Sequence, residues 1–195
     1  LYERGLAAFP DVARLANSAG NFHFKAGRLD RALTLFTRAL ALAPDLVEAG
    51  INAAITLMRM ERFAEAAALL APLARAASAN AGYWRLRADA QRQAGLHRAA
   101  EASMERATAL DPRGPLTARS RARLSLERGD PRMLGHIEAA LRLNPGDPAL
   151  LYDYAQALSV SGQMAEALEC TTTLTRQLPG WTEALKLHAE LLWAA

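Results

Sequence analysis

The chain has 195 residues, is 51% apolar and 6% aromatic, and carries a net charge of +3. Its apolar content excludes a disordered chain, its lone Cys170 excludes a disulfide scaffold, and its longest apolar run, residues 66–74, is far short of the roughly 20 residues a spanning helix needs. The charge is uneven: residues 75–132 hold 12 Arg against 6 acids, a balance of +6, whereas the remainder carries 11 basic and 14 acidic residues, a balance of −3. Alanine fills 44 positions, a helix-favouring bias.

Along the chain, three residue types share one period. Small residues stand at Ala32, Ala66, Ala100 and Ala167, with Met133 in the remaining slot, at spacings of 34, 34, 33 and 34. Glycines recur at Gly27, Gly95, Gly129 and Gly162, and Glu61 takes the missing place. Prolines close the units at Pro10, Pro44, Pro112, Pro145 and Pro179, with Ser78 substituting once. A fixed period near 34 is the mark of a repeat architecture.

The segment 24–45, FKAGRLDRALTLFTRALALAPD, resembles a tetratricopeptide repeat, a pair of helices with small and large apolar positions and a closing proline. With Ala13 as the first position, Gly20, Ala32, Phe36, Ala39 and Pro44 fall on the family's glycine, alanine, aromatic, alanine and proline slots, and Trp84 on the tryptophan slot of the third repeat. The resemblance covers essentially the whole chain. It implies an all-α fold, a right-handed α-solenoid of stacked antiparallel helix pairs forming one domain, with no sheet and eleven or twelve helices. In chain order, residues 1–12 match the second helix of a preceding repeat. Repeats follow at 13–46, 47–80, 81–114, 115–147 and 148–181, and residues 182–195 match the first helix of a further one. The fourth repeat diverges most: Gly129-Asp130-Pro131 replaces the usual turn, one residue is lost, and an altered helix angle is expected there. Glycine after a first helix adopts the left-handed conformation without steric penalty, and proline after a second helix cannot continue it.

No sequence feature carries catalysis. There is no GxGxxG, GxxxxGK[ST], HExxH or GxSxG motif. His23, His97, His136 and His188 are scattered over the repeats with no partner at helical spacing, which argues against a metal site, and no cofactor is expected. Trp84, Phe36, Tyr154 and Leu158 read as packing residues, and Cys170 as a structural thiol.

The informative positions are those the resemblance turns toward the concave groove: Asn17, Asn21, Phe24 and Lys25 in the first repeat, and Ile51, Asn52, Ile55, Met58 and Arg59 in the second. Arg85, Asp89 and Arg92 follow in the third, Arg119, Arg123 and Leu126 in the fourth, Tyr152, Gln156 and Val160 in the fifth, and Lys186, Glu190 and Trp193 in the last helix. Asn21 and Asn52 match slots where peptide-binding members often carry asparagine, whose amide both donates to and accepts from a peptide backbone. The carboxylate-clamp subfamily requires basic residues where Asn17, Gly82 and Leu86 stand, so its ligand is not expected. The guanidinium forks of Arg85, Arg92, Arg119 and Arg123 suit carboxylates, and an acidic peptide is the sharp reading; the bland one is a solvated face paired with Asp89 and Glu127. Nucleic acid is disfavoured, because acids interrupt the patch and no aromatic stacking residues are interleaved.

The expected function is a non-catalytic scaffold that binds a protein segment. The rival is a substrate-recruiting module of a larger bacterial enzyme, since the resemblance implies frequent fusion to sulfotransferase, glycosyltransferase or 2-oxoglutarate-dependent oxygenase domains. Self-association through uncapped ends, with Leu191, Leu192 and Trp193 at one of them, is a further expectation. The chain does not begin with Met and halves a repeat at each end, so it reads as a piece of a longer protein; the single thiol fits a reducing, cytoplasmic setting.

Overall fold

Helices with a period near 34 residues need a turn that stops each first helix and a short link that stops each second one. The computed structural model describes Ala8, Phe9 and residues 11–194; the half-repeat read at 1–12, including Pro10, lies mostly outside the described residues. Those residues form eleven α-helices and no strand. The helices are α1 (Ala13–Lys25), α2 (Leu29–Leu42), α3 (Val47–Arg59), α4 (Phe63–Leu70), α5 (Ala81–Gln93) and α6 (His97–Leu110). They continue as α7 (Pro115–Glu127), α8 (Met133–Leu143), α9 (Pro148–Val160), α10 (Met164–Gln177) and α11 (Thr182–Ala194). The chain falls into two compact units, Leu1–Leu110 and Asp111–Ala195, and each is a stack of helix pairs of the same design.

The first helices of the five repeats end in the same way. Gly27, Gly95, Gly129 and Gly162 have φ between 62° and 78°. The following amide donates back to the carbonyl five residues earlier: Arg28 to His23 at 3.0 Å, Leu96 to Gln91 at 2.8 Å, Asp130 to Ser125 at 3.0 Å and Gln163 to Leu158 at 2.9 Å. The turn residue itself donates three back, which together satisfies two carbonyls the helix end would otherwise leave unpaired. In the second repeat Glu61 makes this turn with φ at 59°, a region that disfavours a side chain.

Packing follows the period as well. Ala32, Ala66, Ala100 and Ala167 are completely buried. Gly20 lies against the Phe36 ring, so close that an added Cβ would come within 2.5 Å of it. In the first unit Ala32, Phe36 and Ala53 form a core with Phe24, Leu33 and Leu69 against it. In the second, Met133 fills the small-residue slot and is buried with Ala122, Ile137, Ala140, Leu150 and Ala157.

The outer helix of the second repeat is broken. Pro72 lacks an amide proton and clashes with the preceding turn, so α4 stops after 8 residues and the chain continues as a 3-10 turn over Ala71–Ala74. Leu73 of that turn is buried against Gly50 of α3. The Tyr83 hydroxyl donates to the Leu70 carbonyl at 2.6 Å at the end of α4.

Candidate functional site

Within the first unit, the first helices α1, α3 and α5 lie side by side, α3 touching both neighbours. Their shared face starts from a chain of amides. Asn52 Nδ2 donates to Asn17 Oδ1 at 3.0 Å, and Asn17 Nδ2 donates to Glu48 Oε1 at 3.0 Å. Asn17 is buried and committed to this link, and Asn52 supplies its other half. Asn21 is half-buried and makes no side-chain hydrogen bond to a described residue. About two turns on from the amide pair, the Arg59 guanidinium sits 5.0 Å from the centre of the Phe24 ring, a cation–π contact between neighbouring first helices. Lys25 and Arg59 are exposed and Ile55 is half-buried. On α5, Arg85 pairs with Asp89 at 3.1 Å, and both Arg85 and Arg92 are half-buried.

In the second unit, α9 touches both α7 and α11. Here the links between the neighbouring first helices are ionic. Arg119 pairs with Asp147 at 3.1 Å, while Asp147 also caps α9 by accepting from the Ala149 amide at 3.0 Å. Arg123 bridges Glu127 on its own helix, at 3.1 Å, and Asp153 on α9. Asp153 is buried, which raises its pKa despite the opposing Arg123 charge. Desolvation acts to lower the Arg123 pKa, but the carboxylates of Asp153 and Glu127 outweigh it and the net shift is upward. Tyr152 stacks on Trp181 with ring centres 5.1 Å apart and accepts from Gln156 Nε2 at 3.3 Å. Burial and the nearby Glu183 raise its pKa. Val160 and Trp193 stand out from α9 and α11 as exposed apolar side chains, 74% and 93% accessible.

Sequence reasoning identified the arginines but not all of their partners. The Arg85–Asp89 and Arg123–Glu127 pairs follow from spacing within a helix. Asp147 and Asp153 lie about 30 residues from their arginines, and only the repeat register points to them: Asp153 holds the slot in its repeat that Asn52 holds in the second. Trp84 and Phe36 are buried, Leu158 is fully buried, and Tyr154 is half-buried with its hydroxyl donating to Glu138 at 3.3 Å. His188 meets the Thr171 hydroxyl at 2.8 Å. Among the described residues no three His, Cys, Asp or Glu side chains gather to hold a metal, and no helix is long and apolar enough to cross a membrane.

No curated protein matches the chain. Several solved structures share its fold. YrrB, a TPR protein with an unusual peptide-binding site, superposes with a TM-score of 0.74 at 18% identity over 97% of each chain. A thermophilic TPR protein of Thermus thermophilus gives 0.69 at 22% identity, over 93% of this chain and 99% of that one. MamA gives 0.74 at 16% identity, over 88% and 94%. The family profile described as tetratricopeptide repeat matches residues 23–90 and 134–191, well over half of the chain, and these stretches contain the left-handed turns at Gly27, Glu61 and Gly162. The chain is therefore a member of the tetratricopeptide-repeat family.

Proposed function

We propose that the chain is a non-catalytic scaffold that holds an extended segment of a partner protein against its first-helix faces. The observation that carries this reading is the registered side-chain face in the first unit, where Asn52 meets Asn17 and Arg59 meets Phe24 across neighbouring helices. Side chains already joined to one another lose less freedom when a ligand arrives, which limits the ordering cost of binding. The amide of Asn21 is the backbone reader on this surface, with Lys25 on the same helix and Ile55 and Arg59 on the neighbouring first helix. In the second unit, Tyr152 and Gln156 offer an aromatic surface and an amide for the same purpose. The peptide-binding site of YrrB supports a peptide ligand for this fold. A module that recruits substrate for an attached enzyme would use the same faces, and a cytoplasmic setting belongs to the same proposal.

An acidic segment at the arginines has to exchange with acids already present. Arg85, Arg119 and Arg123 face Asp89, Asp147, Glu127 and Asp153. Replacing one carboxylate by another gains little, so net selectivity for acids at these pairs is small. The test is a peptide-array screen followed by titration of the best hit against Asn21→Ala and Arg59→Ala. Each substitution should weaken binding about tenfold, or about 1.4 kcal/mol. A hit whose affinity neither substitution alters binds elsewhere, and that result overturns the reading.

A further inference from the structure

One pair of arginines lies away from these faces and meets no carboxylate among the described residues. The first and second helices of the third repeat, α5 and α6, enclose an open cleft of about 620 Å³ beside Trp84. Arg87 and Arg106 reach it from opposite helices, with guanidinium carbons 5.4 Å and 5.3 Å from the centre of the Trp84 ring. Trp84 is itself held in place, its indole N–H donating to the Ser78 carbonyl at 3.2 Å and its ring edge-on to Tyr83. Stacking on an indole fixes a guanidinium plane and leaves its N–H edge to donate. Neither guanidinium forms an ion pair with a described residue, and Arg87 Nε is buried without a hydrogen-bond acceptor. Arg87 also lies beside the Tyr83 phenol, whose pKa burial raises and this charge pulls back. Glu105 is the one acid among the described lining residues.

We propose that this cleft binds a carboxylate carried on an aliphatic segment of a partner protein, with Arg87 and Arg106 as the anion-binding pair. Charge complementarity selects the acid: two preset guanidiniums accept a carboxylate through fork hydrogen bonds, and one of them has a buried donor to satisfy. The shape selects a chain. Ala99, Ala102 and Ala109 line the cleft along α6, a wall spanning about 15 Å at 1.5 Å per residue, which an extended segment of four or five residues covers. These alanines are exposed and lack any side chain beyond Cβ, so aliphatic groups of the ligand lie flat against them. The site is independent of the first-helix faces, and either proposal can fail alone.

The test uses the chain with Trp181→Phe and Trp193→Phe, which leaves Trp84 as the only one of three tryptophans. The probe is the capped peptide Leu-Glu-Leu-Glu-Leu, with Leu-Gln-Leu-Gln-Leu as control. Binding is read by Trp84 emission and by amide NMR shifts of Ala99 and Ala102. The glutamate peptide should give a saturable change in both signals. It should bind at least tenfold more tightly than the glutamine peptide, and raised salt should weaken it. Arg106→Gln, at an exposed position, should weaken it about tenfold with the circular dichroism spectrum unchanged, and Asn21→Ala should leave it unaltered. No shift at Ala99 and Ala102 up to millimolar peptide, equal affinity for the two peptides, or indifference to Arg106→Gln overturns the proposal.

Discussion

The junction between the first two repeats and the junction between the fourth and fifth are built at corresponding places with different chemistry. The first is an amide ladder, Asn52 to Asn17 to Glu48, in which most members are neutral. The second is an ionic clamp in which Arg119 and Arg123 reach across to Asp147 and the buried Asp153. The contact between the two amides carries no net charge, so it responds little to salt. A clamp with one buried carboxylate is held against a desolvation penalty and depends on its partner cation. The same helix-pair scaffold thus tolerates two solutions to one problem, that of joining consecutive first helices.

Removing a partner from each junction should separate them most clearly. Arg123→Ala leaves Asp153 buried without its cation and should cost about 2–3 kcal/mol, less than a fully buried pair because Arg123 is partly solvated. Asn17→Ala strands Glu48 near solvent and should cost about 1–2 kcal/mol. Urea unfolding monitored by circular dichroism measures both. Equal losses would erase the distinction.

The pH dependence sharpens it further. Burial raises the Asp153 pKa above the unfolded value of 3.8. The folded state therefore binds the proton more readily, and the stabilisation from protonation is present at low pH and lost as pH rises through the raised folded value. Relative to the parent chain, Asp153→Asn should gain stability as pH rises from about 4 to 7. A flat difference between the two pH profiles would show that Arg123 fully offsets the burial.

Glu61 offers a smaller effect in the first unit. It holds the left-handed turn that glycine holds in the other repeats, so Glu61→Gly should stabilise by about 0.5–1 kcal/mol. A lowered melting temperature would mean the Glu61 side chain contributes more than its backbone strain removes. The smallest effect is local to the second unit. Asp130 accepts from the Arg132 side chain and amide, which lowers its pKa to about 2. Its carboxyl carbon shift should titrate with a midpoint near that value, and Arg132→Ala should raise it only part of the way back, because the amide of residue 132 still donates.

The helix pairs were legible because the residues that end helices act locally. Glycine in a left-handed turn and proline after a helix each need only their own backbone to do their work, and their period marks the repeats even where Glu61 and Ser78 interrupt it. The break of α4 at Pro72 was visible in principle, since the residue is in the sequence, but the period masks it. Side-chain pairing across repeats was not legible. The arginines stood out by composition, whereas Asp153 and Asp147 were two acids among many until the fold laid α9 beside α7. The Trp84 cleft was hidden for a related reason: Trp84 reads as a packing residue and is one, and its role in orienting Arg87 and Arg106 depends on α6 returning alongside α5.

The closing bond of each first helix joins residues only five apart, and its helix pair is complete within one repeat of about 34 residues. Little chain entropy is lost in closing such short loops, so contact formation is fast compared with a sheet whose strands come from distant segments. During synthesis at roughly 5–20 residues per second, a repeat finishes emerging within a few seconds and has its own helix partner at hand. Within each unit, a new pair then finds the previous one already folded and adds to its exposed face, so the order of residues along the chain also serves as the order of assembly.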